Sequence, residues 1–143
     1  MSYRFLDSVA IADVAFEATG ENLSELFSAA GNATINTMIE SLDGILAKTS
    51  RKIEVSNAEL DLLLFDFLEE LIYYKDADGL LLRVTRVDIE KQGNEFKLVA
   101  TGTGEEIDPS RHEQRADVKA VTLHKFNVER TGEGWRCFVI LDV

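Results

Sequence analysis

The sequence predicts an α+β fold with the element order β-α-β-α-β-β-β-β. Two helical periodicities occur early in the chain, and two hairpin turns occur late. Strands and helices do not alternate regularly along the whole length, as a doubly wound parallel sheet requires. A length of 143 residues suits a single domain over 1–143, with enough chain for one core.

The first segment, residues 3–18, alternates loosely through Val9, Ile11, Val14 and Phe16, which predicts a strand or a bent pair of strands ending at Gly20. Asn22 opens a helix, with Glu25 three residues on as its capping-box partner. Leu23, Leu26, Phe27 and Ala30 recur at helical spacing, and Asp43-Gly44 marks the way out. Residues 51–55 predict a short strand, and Ser56 with Glu59 a second capping box. Leu60, Leu63, Leu64, Phe67, Leu68, Leu71 and Ile72 then form one continuous stripe. Leu62 and Phe65 lie off it, so this helix is expected to be sandwiched in the interior and to stop at Asp78-Gly79. Residues 80–90 and 95–103 flank the turn Gln92-Gly93-Asn94 as a hairpin. A polar loop over 104–117 holds the single proline, Pro109. Residues 118–130 and 135–143 pair across Thr131-Gly132-Glu133-Gly134.

Composition excludes several function classes. There are 26 acids against 15 Lys and Arg, a net charge of -11. Such a surface disfavours phosphate backbones and anionic membranes, so direct RNA binding is expected to be weak or absent. One cysteine and two histidines leave no disulfide framework, Cys-rich zinc site or three-histidine site. With no long apolar run and no leader-like N-terminus, the expectation is a cytoplasmic protein with no membrane partner.

Most motifs read as structure. Gly102-Thr103-Gly104 lacks the third glycine of a dinucleotide fingerprint and reads as a flexible strand end. Asp76-Ala77-Asp78-Gly79 lacks the later ligands of a calcium loop and reads as a helix stop. Cys137 and His124 fall on the two strands of the last hairpin, where a nucleophile and its base could meet; a buried thiol and a hydrogen-bonded histidine are the plainer readings. His112 lies in the long polar loop, where function and a solvated surface both remain open. Asp61, Asp66, Glu69, Glu70 and Asp76 decorate the second helix as its wet edge. Asp13 and Asp142 differ, because each sits between apolar neighbours in a strand. An acid there must be paired, hold a metal or face water. Two aspartates and main-chain or terminal oxygens would suit a hard cation.

The chain resembles the archease family over nearly its whole length. The resemblance rests on Ala12-Asp13-Val14-Ala15-Phe16-Glu17-Ala18, on the second helix from Asp61, on Ile107-Asp108-Pro109-Ser110-Arg111-His112, on Val118-Lys119-Ala120-Val121-Thr122-Leu123-His124, and on the closing Val139-Ile140-Leu141-Asp142-Val143. It implies a layered α+β domain that acts as a non-catalytic activator of the RNA-splicing ligase. That ligase joins RNA 3'-phosphate and 5'-hydroxyl ends in tRNA splicing, and the activator promotes its guanylylation and turnover. It implies a divalent metal, calcium first with magnesium or manganese as alternatives, on Asp13, Asp142 and Val143. His124, His112 and Asp66 are secondary candidates. A chaperone-like role toward a tRNA methyltransferase or another RNA-processing enzyme is the alternative. The chain departs from the family at Ala10-Ile11-Ala12-Asp13, where the family carries His-Thr-Ala-Asp, and Asp7-Ser8-Val9 upstream reads as a local insertion.

Overall fold

A computed structural model describes residues 2–6 and 13–143. The expected insertion and the departure before Asp13 lie outside the described residues. The elements are β1 (Ser2–Leu6), β2 (Asp13–Gly20), α1 (Leu23–Met38), a 3-10 turn (Leu42–Gly44), β3 (Thr49–Asn57), α2 (Leu60–Asp78), β4 (Leu80–Gln92), β5 (Glu95–Glu106), β6 (Ala120–Arg130) and β7 (Trp135–Asp142). The expected α+β order holds, its first element being a pair of strands.

The strands form two antiparallel sheets, ordered β1-β2-β7-β6 and β3-β5-β4. Helix α1 packs on β2 and β4, and α2 on β3, β4 and β6, so the helices lie between the sheets. Phe16, Phe27, Phe67, Leu64 and Leu71 are fully buried there. Phe27 and Phe67 stack with ring centroids 6.2 Å apart where the helices meet.

Local chemistry explains the boundaries. The Asn22 side chain accepts the Glu25 backbone N–H at 2.9 Å, which starts α1. Gly79 ends α2 at φ 64, donating to the carbonyls of Lys75 and Tyr74. The capping box expected at Ser56 does not form. Strand β3 runs on to Asn57, whose side-chain oxygen accepts the Glu59 N–H at 3.0 Å. Helix α2 is also less enclosed than its stripe predicts. Leu62 is exposed and Phe65 half-buried, because only α1 and the two sheets cover it and its outer edge meets solvent.

Strand β5 runs three residues past its expected end, through Gly102 and Gly104. These are not a flexible end. A Cβ on Gly104 would lie 1.7 Å from the Leu81 carbonyl oxygen, so the strand needs glycine where β4 crosses close to it. A bulge in β4 at Thr85 is closed from α1, where Asn32 accepts the Val84 N–H at 2.9 Å and donates to its carbonyl at 3.3 Å. Among the described residues no helix is long and apolar enough to cross a membrane.

Candidate functional site

Strands β2 and β7 are antiparallel, so the start of one meets the end of the other. Their register pairs Val14 with Leu141 and, at the last step, Asp13 with Asp142. Cross-strand partners in an antiparallel sheet stand on one face, with Cα atoms about 4.5–5.5 Å apart. Both aspartates are half-buried. On its other side Asp142 pairs with Ala120 of β6, and its carbonyl accepts the Lys119 N–H at 2.8 Å. The backbone of Val143 follows at once.

The segment between β5 and β6 closes this end of the sheet. It is tied to the end of α1 by Glu40 N–H to the Glu113 carbonyl at 2.8 Å, and by Arg115 N–H to the Met38 carbonyl at 2.8 Å. Arg115 thereby comes to rest over the Phe5 ring, 5.5 Å from its centroid. A cleft of ≈340 Å³ opens here, lined by Asp13, Phe5, Thr37 and Arg115. Arg115 was not singled out by the sequence, and only its position in the loop that returns to β6 gives it away.

Asp13 and Asp142, with the backbone of Val143 next in the chain, are the residues that would hold a hard cation such as calcium, magnesium or manganese, which takes oxygen ligands. Among the described residues no group of three His, Cys, Asp or Glu side chains converges as a closed metal cluster.

The secondary candidates lie elsewhere. His124 stands exposed on β6, where a break in register interrupts the expected alternation after Thr122. Asp66 accepts from the Asn57 amide at 3.2 Å, which joins α2 to β3. Nor are its neighbours on α2 simply a wet edge: Glu69 accepts the Val121 N–H at 2.8 Å and closes the open side of β6. Lys75 is buried between Asp76 and Asp117, at 2.5 and 2.6 Å. Burial pulls its pKa down, but the bonds to Asp117 and Asp76 outweigh that and leave it raised.

His112 is 4% exposed and belongs to a network around Glu105, itself 3% exposed. The Asp108 N–H donates to His112 Nδ1 at 2.9 Å, so Nε2 carries the proton that faces Glu105 Oε2 at 3.0 Å. Glu105 also accepts the Leu46 N–H at 2.7 Å and the Arg111 guanidinium, and Lys48 stands 3.5 Å away. The Leu46 N–H, then Arg111 and His112, outweigh desolvation and hold the Glu105 carboxyl down at about 2. Sequence reasoning missed Glu105 as an anchor because it fell in a segment read as loop. The available signal was the nearness of Arg111 and His112 along the chain.

The Cys–His pair that the last hairpin could offer does not form. Cys137 pairs with Ala18 on one side and Val128 on the other, so His124 is not opposite it. Burial pushes its thiol up to about 12.

Comparison with known proteins agrees with this architecture. The model of the Archease protein family (MTH1598/TM1083) matches residues 3–143. The protein archease of Pyrococcus abyssi is 35% identical over 133 residues, 92% of this chain and 93% of that one. The protein archease of Archaeoglobus fulgidus is 33% identical over the full length of both. Among solved structures, the solution structure of Methanobacterium thermoautotrophicum protein 1598 superimposes with a TM-score of 0.85 at 32% identity, covering 99% of this chain and 98% of that one. A Thermotoga maritima archease described as a possible chaperone shares the fold, with a TM-score of 0.63 at 24% identity over 94% and 93% of the two chains. The chain therefore belongs to the archease family.

Proposed function

We propose that this protein is a metal-binding accessory protein, without catalysis of its own, that activates an RNA-splicing ligase by promoting its guanylylation and turnover. The observation that carries the reading is the direct opposition of Asp13 and Asp142 at one end of the first sheet. Two acids from opposite ends of the described strands are paired there, with Val143 next in the chain. Two carboxylates held in register offer oxygen ligands to a hard cation.

A cation held there would present concentrated positive charge to a partner's active site. The chain's own part is to hold the two carboxylates in register through β2 and β7, and to close the end of the sheet with residues 113–119. The net charge of -11 steers the protein toward a basic, RNA-binding partner rather than toward RNA. That favours an activator of a ligase over an RNA binder.

Ligation of 3'-phosphate and 5'-hydroxyl RNA ends, with ligase limiting, tests this reading. Wild type is expected to raise turnover and the guanylylated fraction of the ligase. Asp13→Ala and Asp142→Ala are expected to lose most of that stimulation while remaining folded. Stimulation equal to wild type by both variants would overturn the metal tip. Protection of a tRNA methyltransferase from aggregation, unaffected by chelator and by either substitution, would favour the chaperone-like role instead.

A further inference from the structure

A second cleft, of ≈550 Å³, opens where β3 begins, β5 ends and the chain turns through residues 107–111. It shares no lining residue with the cleft beside Asp13. Its volume falls within the ~300–1,000 Å³ usual for small-molecule sites. Three cationic side chains, Lys48, Arg51 and Arg111, line it, in a chain whose net charge is -11.

Arg51 is the unusual member. It is half-buried on β3, opposite Gly102 of β5. Its Nη1 donates to the Thr49 hydroxyl at 2.8 Å and to the Ser50 carbonyl at 3.0 Å, which fixes the guanidinium. Its Nε and Nη2 have no acceptor among the described residues, and no carboxylate pairs with it there. Every other arginine among the described residues pairs with an acid or, in the case of Arg130, lies over the Trp135 ring. A partly desolvated cation without a counter-charge costs stability in the empty protein. Its free donors suit an oxyanion.

The acids of the cleft do not cancel it. Glu105 is buried, and its charge is met by the Leu46 N–H, Arg111 and His112. The Asp108 carboxylate accepts from the Ser110 N–H and hydroxyl at 3.0 and 2.6 Å, within its own turn. Glu106 is exposed, where water and salt screen it.

We propose that this cleft binds the phosphate group of a small molecule, with Arg51 as its principal ligand and Lys48 and Arg111 as supporting charges. Two free guanidinium nitrogens match two phosphate oxygens. Buried Leu80 and half-buried Ile107 give the rest of the ligand an apolar wall. A long phosphate backbone would meet the acidic surface elsewhere, so the ligand is small. The site goes beyond the activator reading and stands without it.

Titration calorimetry in an amine chloride buffer tests this, with inorganic phosphate, a ribonucleoside monophosphate and acetate as probes. Wild type, Arg51→Gln, Lys48→Gln and Glu106→Gln are compared, and thermal unfolding checks each fold. Wild type is expected to bind phosphate with a Kd of about 1 mM or tighter. Acetate, with less charge, is expected to bind at least about tenfold more weakly. Tighter binding of the nucleotide than of phosphate assigns the wall to an esterified ligand; equal binding assigns the site to phosphate alone. Arg51→Gln should weaken phosphate at least about tenfold, and Lys48→Gln about threefold. Glu106→Gln should tighten it about twofold. No saturable binding of phosphate by wild type up to about 20 mM would overturn the site and leave Arg51 as an inward charge guarding the edge of β3. Unchanged affinity in a folded Arg51→Gln would do the same. Should that variant unfold, unchanged affinity in Lys48→Gln, an exposed position, decides against the site. Acetate binding as tight as phosphate would overturn the phosphate assignment.

Discussion

Asp142→Asn should move stability in opposite directions with and without metal. In chelator, the substitution removes one of two like charges that face each other across β2 and β7. Opposed like charges in a ladder cost up to about 1 kcal/mol. For a domain of this size that corresponds to a rise in Tm of about 1–3 °C. In saturating calcium the sign reverses. If the proposed site binds calcium, the ion at about a hundred times its Kd is expected to stabilise the wild type by about 2.7 kcal/mol, a rise of roughly 8–10 °C. Losing one of two carboxylates from a half-exposed site is expected to weaken binding at least tenfold, which about halves that rise at the same calcium concentration. Scanning calorimetry of both proteins, in chelator and in calcium, reads all four states. A variant that is less stable than wild type in chelator would show that Asp142 serves the sheet rather than a cation. An unchanged calcium shift would remove the aspartate pair from the site.

Three further outcomes follow from buried chemistry. The Glu105 pKa is lowered on folding, so its contribution is fully present above the ordinary value of 4.5 and is lost as pH falls through about 2. Acid unfolding monitored by circular dichroism should accordingly show Glu105→Gln destabilised relative to wild type near neutrality, with the gap closing only toward pH 2. Gly104→Ala should fail to fold or lose roughly 3 kcal/mol or more in urea unfolding, because its methyl would meet the backbone of β4 rather than a movable side chain. Cys137 should resist iodoacetamide at pH 8 in the native protein and react on denaturation, since it is buried and its thiol is pushed up to about 12.

What could be read in the sequence was local. The start of α1 is written in Asn22 and Glu25, the end of α2 in Gly79, and the β4–β5 hairpin in Gly93 and Asn94; each depends on residues a few positions apart. Ser56 misled because it carries a good capping residue inside a strand, and the pairing of β3 with β5 outweighs a single cap. The break in β6 left no trace either. Alternation runs smoothly from Val118 to Lys125, so nothing local says that pairing is lost after Thr122. Glu105 and Arg115 were obscured for a related reason. Their partners, Leu46 and Phe5, lie far off along the chain and meet them only after the sheets form. Asp13 and Asp142 could be singled out as acids among apolar neighbours, but no spacing rule brings residues so distant in sequence together.

That distance has a physical consequence for any cation held by the pair. The site consists of the last paired step between β2 and β7, and β7 lies between β6, its neighbour in sequence, and β2, from the opposite end of the chain. Its donors exist as a pair only when the longest-range pairing in the chain has formed, so they have no counterpart in the unfolded ensemble. Binding there is therefore linked to folding of the whole first sheet. The Glu105 network holds the opposite end of the segment that closes the site, and Lys75 with Asp117 holds its exit toward β6. Weakening either anchor should loosen residues 113–119 before it unfolds the sheet, and metal affinity should fall ahead of global stability. The aspartates alone make the carboxylate pair; the buried ion pairs on either side decide how firmly the fold presents it.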